Sequence, residues 1–224
     1  MKERLLVVLA ALAALPACAP IGLVQTSQVL GPNRAKGGIA ATVAMPLRKG
    51  VLLEPDGKGT GTEKQDLAYK PLPALVGWYR HGVGGSGEAQ VAFEMPSTTT
   101  SISYKQGIFG GDPDSVMGMA IAVDIGTNTV FGQSAMGGSV ILGGRLGGTT
   151  RWHLTGRAGT WPPLWALPHV TVTGGVSWGT AKVWHLRGGW AFDLGSGAPP
   201  AALLLFGYEK PVATRPQPLM GLRR

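Results

Sequence analysis

The sequence predicts an all-β protein, an antiparallel up-and-down β-barrel of about ten strands and of the transmembrane kind. Three observations carry that expectation. First, segments 151–161, 169–178 and 182–194 alternate with period two, the signature of strands with unlike faces. Trp152, Leu154, Gly156 and Ala158 oppose Arg151, His153, Thr155 and Arg157. Val170, Val172, Gly174, Val176 and Trp178 oppose His169, Thr171, Thr173, Gly175 and Ser177. Trp184, Leu186, Gly188, Trp190 and Phe192 oppose His185, Arg187, Gly189 and Asp193. Second, 36 glycines and 17 prolines recur between such runs, which places turns between short strands. Third, the polar faces are rich in Gly, Ala, Ser and Thr and the mean hydropathy is positive at +0.15, which suits a tight lumen inside a lipid-facing wall. A soluble barrel would pack the same alternation inside out.

Composition narrows the function classes. The chain has 224 residues, enough for one barrel domain. Its net charge of +8 is spread without a dense Lys/Arg run, so no nucleic-acid partner is expected. The single cysteine excludes an intramolecular disulfide framework and a thiolate-rich zinc site, and no cofactor is implied.

At the N-terminus, Lys2 and Arg4 precede an apolar run at 5–15, the plan of a secretory signal. Eleven apolar residues are too few for a spanning helix, which needs about 20. The run ends in Leu15-Pro16-Ala17-Cys18, which resembles the lipobox of bacterial lipoproteins. The resemblance implies diacylglyceryl transfer to the Cys18 thiol, cleavage before it and acylation of the new amine. Ala19, rather than Asp, follows the cysteine, which in that family's sorting implies the outer membrane. Several acyl chains make a stable anchor. The expected division is a signal peptide at 1–17, a lipidated tether at 18–36, the barrel at 37–209 and a disordered tail at 210–224. An ordinary signal peptide with a cysteine at its cleavage site is the alternative.

Along the chain, residues 21–36 show no period, with a turn at Gly31-Pro32-Asn33, and read as an extended tether. The first strand is expected at 38–47. Residues 48–70 are mixed and polar and read as a surface loop. A hairpin over Gly84-Gly85-Ser86-Gly87 joins 73–83 to 88–95, where Ala89, Val91, Phe93 and Met95 oppose Glu88, Gln90, Ala92 and Glu94. Further strands follow at 99–108 and 116–125, the latter setting Met117, Met119, Ile121, Val123 and Ile125 against Gly118, Ala120, Ala122 and Asp124. After a polar loop at 126–136 come 138–146 and 149–160, a Pro- and Trp-rich loop at 161–168, the hairpin 169–178 with 182–194, and a last strand at 201–208. With the N-terminus on the inner side, short inner turns (84–87, 109–115, 147–148, 179–180) and longer outer loops (48–70, 126–136, 161–168, 195–200) follow the expected asymmetry, the exception being the outer corner at 96–98.

The lipobox, then Gln25-Thr26-Ser27-Gln28-Val29-Leu30-Gly31-Pro32-Asn33, then a Gly-rich strand, is similar to uncharacterised bacterial outer-membrane β-barrel lipoproteins. So is Val76-Gly77-Trp78-Tyr79-Arg80-His81-Gly82-Val83 leading into Glu88-Ala89-Gln90-Val91. The resemblance implies an architecture and a location, with outer-membrane lipids as the partner through acylated Cys18 and the barrel surface. It implies no catalytic residues.

One cluster invites chemistry. Arg151, His153, Arg157, His169, His185, Arg187 and Asp193 share the polar faces of consecutive strands and would meet in the lumen. They are either an ion or ligand site or lumen filling, with Glu88, Glu94, Asp124 and Asp193 paired to the arginines, Lys105 and Lys182. Gly-Ser-Gly at 85–87 and 195–197 falls in turns, not at a strand-to-helix elbow, and Ser101 and Ser103 have no evident histidine beside them, so no nucleophile motif is present. The tryptophans at 78, 152, 161, 165, 178, 184 and 190 are expected as an interfacial girdle.

The expected role is therefore that of a lipid-anchored outer-membrane barrel, not an enzyme, with a structural, small-pore or surface-binding function. The alternatives are a periplasmic lipoprotein whose soluble barrel or sandwich binds an apolar ligand and, behind it, a membrane-embedded lipid-modifying enzyme.

Overall fold

The computed structural model describes residues 25–46, 50–55, 62–67, 72–95, 98–111, 115–128, 133–160, 168–194 and 200–213. Among the described residues there are twelve strands: β1 (Ala35–Pro46), β2 (Gly50–Pro55), β3 (Thr62–Leu67), β4 (Leu72–Gly84), β5 (Gly87–Met95), β6 (Thr99–Phe109), β7 (Gly118–Asn128), β8 (Gln133–Gly147), β9 (Thr150–Thr160), β10 (Pro168–Trp178), β11 (Val183–Asp193) and β12 (Ala201–Val212). Ten of them form a closed barrel in which each strand pairs with its sequence neighbour, and β1 closes the ring between β4 and β12. Every pairing is antiparallel. The remaining two, β2 and β3, pair only with each other.

Closure leaves no unpaired sheet edge in the barrel. One end, the turn end, carries the connections 85–86, 110–117, 148–149 and 179–182 and both ends of the described barrel segment. The two-residue links Gly85-Ser86 and Gly148-Thr149 begin with glycines at φ 54° and 52°, the left-handed geometry that tight hairpins require. The opposite, loop end carries 47–71, 96–98, 129–132, 161–167 and 194–200.

Burial follows the alternation. In β6, Thr99, Ser101, Ser103 and Lys105 are buried while Ile102 and Tyr104 are exposed. In β7, Ala120, Ala122 and Asp124 are buried and Ile121, Val123 and Ile125 are exposed, as is Met117 just before the strand. The same holds in β9, β11 and β12, with His153, Arg157, His185, Arg187 and Glu209 inside and Leu154, Leu186, Trp190, Leu204 and Phe206 outside. An apolar wall around a polar interior is the architecture of a transmembrane β-barrel. Of Met117, Met119, Ile121 and Val123, whose direction separates a membrane barrel from a soluble barrel holding an apolar ligand, Met117, Ile121 and Val123 are exposed on the outside and Met119 is half-buried.

Four expectations are corrected. The polar stretch at 48–70 contains the β2–β3 hairpin. Most of 126–136 is strand, because β7 and β8 run on to Asn128 and Gln133 and pair there. The last strand continues to Val212 rather than ending at 208, with Val212 opposite Ala35. Trp78 does not join the girdle: it is 5% exposed inside the lumen, its indole lying over Gly38, where any side chain would collide with the ring. Trp184 and Trp190 are on the outer face as expected, and Trp184 stacks on Phe206 at 5.5 Å between centroids. Trp161, Trp165, Cys18, the proposed signal and residues 214–224 lie outside the described residues.

Candidate functional site: the lumen and its N-terminal segment

The lumen is organised around two charge clusters. Towards the loop end, Arg157 makes a two-pronged pair with Asp124, Nε to Oδ1 at 3.0 Å and Nη2 to Oδ2 at 2.6 Å. Its Nη1 lies 2.9 Å from His169 Nε2. The guanidinium fits because Gly137 faces it, and a Cβ there would strike it.

Towards the turn end, six strands supply a second network. Glu88 Oε1 lies 2.8 Å from Lys105 Nζ and 3.5 Å from Arg80 Nη1. Arg80 Nη2 reaches Glu209 Oε1 at 2.5 Å, and Lys36 Nζ reaches the same oxygen at 3.1 Å. His185 Nε2 is 3.8 Å from that oxygen, and its ring meets Trp78 edge-on at 6.3 Å. Burial of so many charges is tolerable only where they are paired, because removing one partner of a buried pair costs about 3–5 kcal/mol.

Residues 25–30 complete this half. Rather than forming a tether away from the barrel, they cross its lumen. The chain turns at 31–34, where Arg34 N–H bonds Gly31 O at 3.1 Å and Asn33 adopts φ 60°. From there Leu30 N–H donates to Glu88 Oε2 at 2.9 Å. Lys105 Nζ donates to the carbonyls of Thr26 (3.0 Å) and Gln28 (2.6 Å). Arg187 donates to the carbonyl of Gln25, whose side chain reaches Ser103 Oγ at 3.4 Å. In the ten-strand ring, β6 and β11 are on opposite walls, so Gln25 bridges the lumen. Gln25, Thr26 and Ser27 are all buried. Gly82 and Gly143 make room for the segment: a Cβ at Gly82 would strike the Leu30 and Gly31 carbonyls, and one at Gly143 would lie 2.6 Å from Ser27 Oγ.

The seven residues that the alternation points to are distributed as follows. His153, Arg157, His185 and Arg187 are buried in the lumen. Arg151 and His169 are half-buried on the same faces. Asp193 is opposite His169 in the β10–β11 ladder, and its side chain lies outside the described residues. The seven do not form one site. Arg157 and His169 join Asp124, whereas His185 and Arg187 belong to the turn-end half. Lys182 is exposed in the 179–182 turn and pairs with no lumen group that the sequence suggested for it. Arg80, Glu209, Lys36 and residues 25–30 carry no such flag in the sequence, although Arg80 shares the inward period with Val76, Trp78 and Gly82.

His153 Nε2 lies 2.7 Å from Ser177 Oγ, a serine–histidine contact that Ser101 and Ser103 do not make. Its Nδ1 has no hydrogen-bond partner, so no carboxylate orients the imidazole as nucleophile activation requires. Among the described residues, no group of three or more His, Cys, Asp or Glu side chains is arranged to hold a metal ion.

No protein-family model and no curated protein matches the chain. In structure it is similar to an outer membrane channel from Pseudomonas putida F1, with a TM-score of 0.49 and 8% identity over 83% of this chain and 98% of that one. It is also similar to Ail, the attachment invasion locus protein of Yersinia pestis, crystallised with the heparin analogue sucrose octasulfate, with a TM-score of 0.34 and 10% identity over 81% of this chain and 99% of Ail.

Proposed function

We propose that this chain is an outer-membrane β-barrel, lipid-anchored at Cys18, that is held closed by its own residues 25–30 and acts as a structural or surface-binding element rather than an open diffusion pore. The observation that carries this proposal is the bridge across the lumen, Ser103–Gln25–Arg187, with Lys105 gripping the same segment. The apolar wall supports the membrane location. The loop end, which carries the β2–β3 hairpin, is the side available to partners. The Leu15–Cys18 motif supports the anchor.

The test is conductance of the full chain in planar bilayers. A Gln25→Cys/Ser103→Cys chain, stapled by a short bis-maleimide across the gap that the Gln25 side chain fills, is expected to pass no current, as is the wild type. Replacing residues 25–30 by a Gly/Ser run of equal length is expected to open steps of current. A wild-type chain that conducts as well as the replaced one rejects closure by this segment. Full solubility without detergent of a Cys18→Ala chain lacking residues 1–17 rejects the membrane location.

A further inference from the structure

The network at the turn end is electrostatically incomplete. Among the described residues, buried Arg80, Lys105 and Arg187 face buried Glu88 and Glu209, three cations to two carboxylates. The half-buried Lys36 adds further positive charge. The other buried carboxylates are placed elsewhere: Asp124 is held by Arg157, and Glu94 is the penultimate residue of β5 at the loop end. The segment crossing this cluster, Gln25-Thr26-Ser27-Gln28-Val29-Leu30, has no charged side chain. It answers the cations with carbonyl oxygens alone, from Gln25 to Arg187 and from Thr26 and Gln28 to Lys105.

Donors remain unused. Trp78 Nε1, Arg80 Nε and Arg187 Nε are buried without a hydrogen-bond partner, as are the ring nitrogens of His185, of which a neutral imidazole offers one as donor. They belong to one stretch of wall, β4 and β11 separated by β1 and β12, with Trp78 and His185 in contact. Two glycines set the arrangement. Gly38 lets the indole lie flat on β1, and a Cβ at Gly175 would strike Arg187. Buried N–H groups left unfilled are costly, and several on one stretch of wall, one of them on a guanidinium without a carboxylate in ion-pair contact among the described residues, suit a negatively charged oxygen group.

We infer that the wall patch of Trp78, Arg80, His185 and Arg187 is a binding site for an oxyanion, a phosphate or carboxylate group, and that the carbonyl oxygen of Gln25 holds its place while residues 25–30 close the lumen. An oxyanion satisfies Arg187 more strongly than a neutral carbonyl does and fills the idle donors, so its binding competes with the seated segment. This inference rests on the closed-barrel proposal and names the ligand class that would relieve closure.

The experiment follows seating by the rate at which a short bis-maleimide, spanning the gap that the Gln25 side chain fills, cross-links the full-length Gln25→Cys/Ser103→Cys chain in detergent, with each single variant controlling for Cys18. Inorganic phosphate is expected to slow cross-linking in a saturable way, and chloride at matched ionic strength is not. Arg187→Gln is expected to raise the half-effective phosphate concentration about tenfold, the loss of one charge-assisted pair. Trp78→Phe, which keeps the ring and removes one donor, is expected to raise it about fivefold. Repeating the assay in vesicles of anionic lipid without soluble phosphate separates a headgroup from a free solute as the source. Rapid cross-linking that phosphate does not alter overturns the oxyanion site and leaves the closed barrel standing. No cross-linking under any condition overturns both.

Discussion

At the scale of single residues, the lumen is governed by pairing. Arg157 and Asp124 meet in a two-pronged bond at about 5% exposure or less, so Asp124→Asn strands a buried guanidinium. The expected loss is about 3 kcal/mol, read as a lowered midpoint for conversion of the folded to the unfolded gel form. The double change Asp124→Leu/Arg157→Met removes both charges and is expected to recover most of that loss; if it stays as unstable as the single variant, pairing is not what the site contributes. Gly82→Ala places a methyl group against the Leu30 and Gly31 carbonyls and is expected to unseat residues 25–30 while the barrel stays folded, giving current in bilayers where the wild type gives none. The period-two pattern was sufficient to put His153, Arg157, His185 and Arg187 inside, since inward direction is a local property of a strand. It could not say which of them meet. Pairs such as Arg80–Glu209, 129 residues apart, depend on ring closure, and the pattern has no term for it. Trp78 was misplaced for a related reason: an indole normally sits on the lipid side, and only Gly38 on the neighbouring strand makes an inward position possible.

Among the elements, hairpins with sharp glycine turns were legible almost to the residue, as at Gly84–Gly87 and Gly147–Thr150. Strand ends rich in Gly, Ser, Thr and Asn were not. Residues such as Thr127-Asn128 and Gln133-Ser134 have loop composition, yet pair because the hairpin extends the ladder at no cost in burial. The β2–β3 pair is a different kind of element: it shares no ladder with the barrel, and β1 and β4 already pair as far as Ala44 and Leu72. Replacing residues 48–70 by a short Asn-Gly turn is therefore expected to preserve the heat-modifiable barrel and to remove whatever binding the hairpin confers. Loss of the folded form on gels would show that this hairpin belongs to the barrel's stability instead.

For the molecule as a whole, the decisive property is which face of the wall meets water. Val123, mid-way along β7, is 63% exposed on the outer face. Val123→Arg is expected to destabilise the lipid-inserted barrel by about 2–4 kcal/mol in a urea titration, the cost of a charge at the bilayer midplane. An unchanged midpoint would put that face in water and remove the membrane assignment. The fold class was recoverable from the sequence because alternation, turn spacing and an even strand count all point the same way. The occupied lumen was not, because residues 25–30 have neither period nor charge and reveal themselves only through what they touch. Their position has a consequence for assembly. They directly precede β1, and β1 is the joint at which the first and last barrel strands meet. Their grips on Gly107, Glu88 and Lys105 belong to β5 and β6, which can hold them on a still-open curved sheet before β11 and Arg187 arrive. A barrel that zippers β12 onto β1 last would enclose a passenger already aboard, wrapped in sideways with no end-on threading.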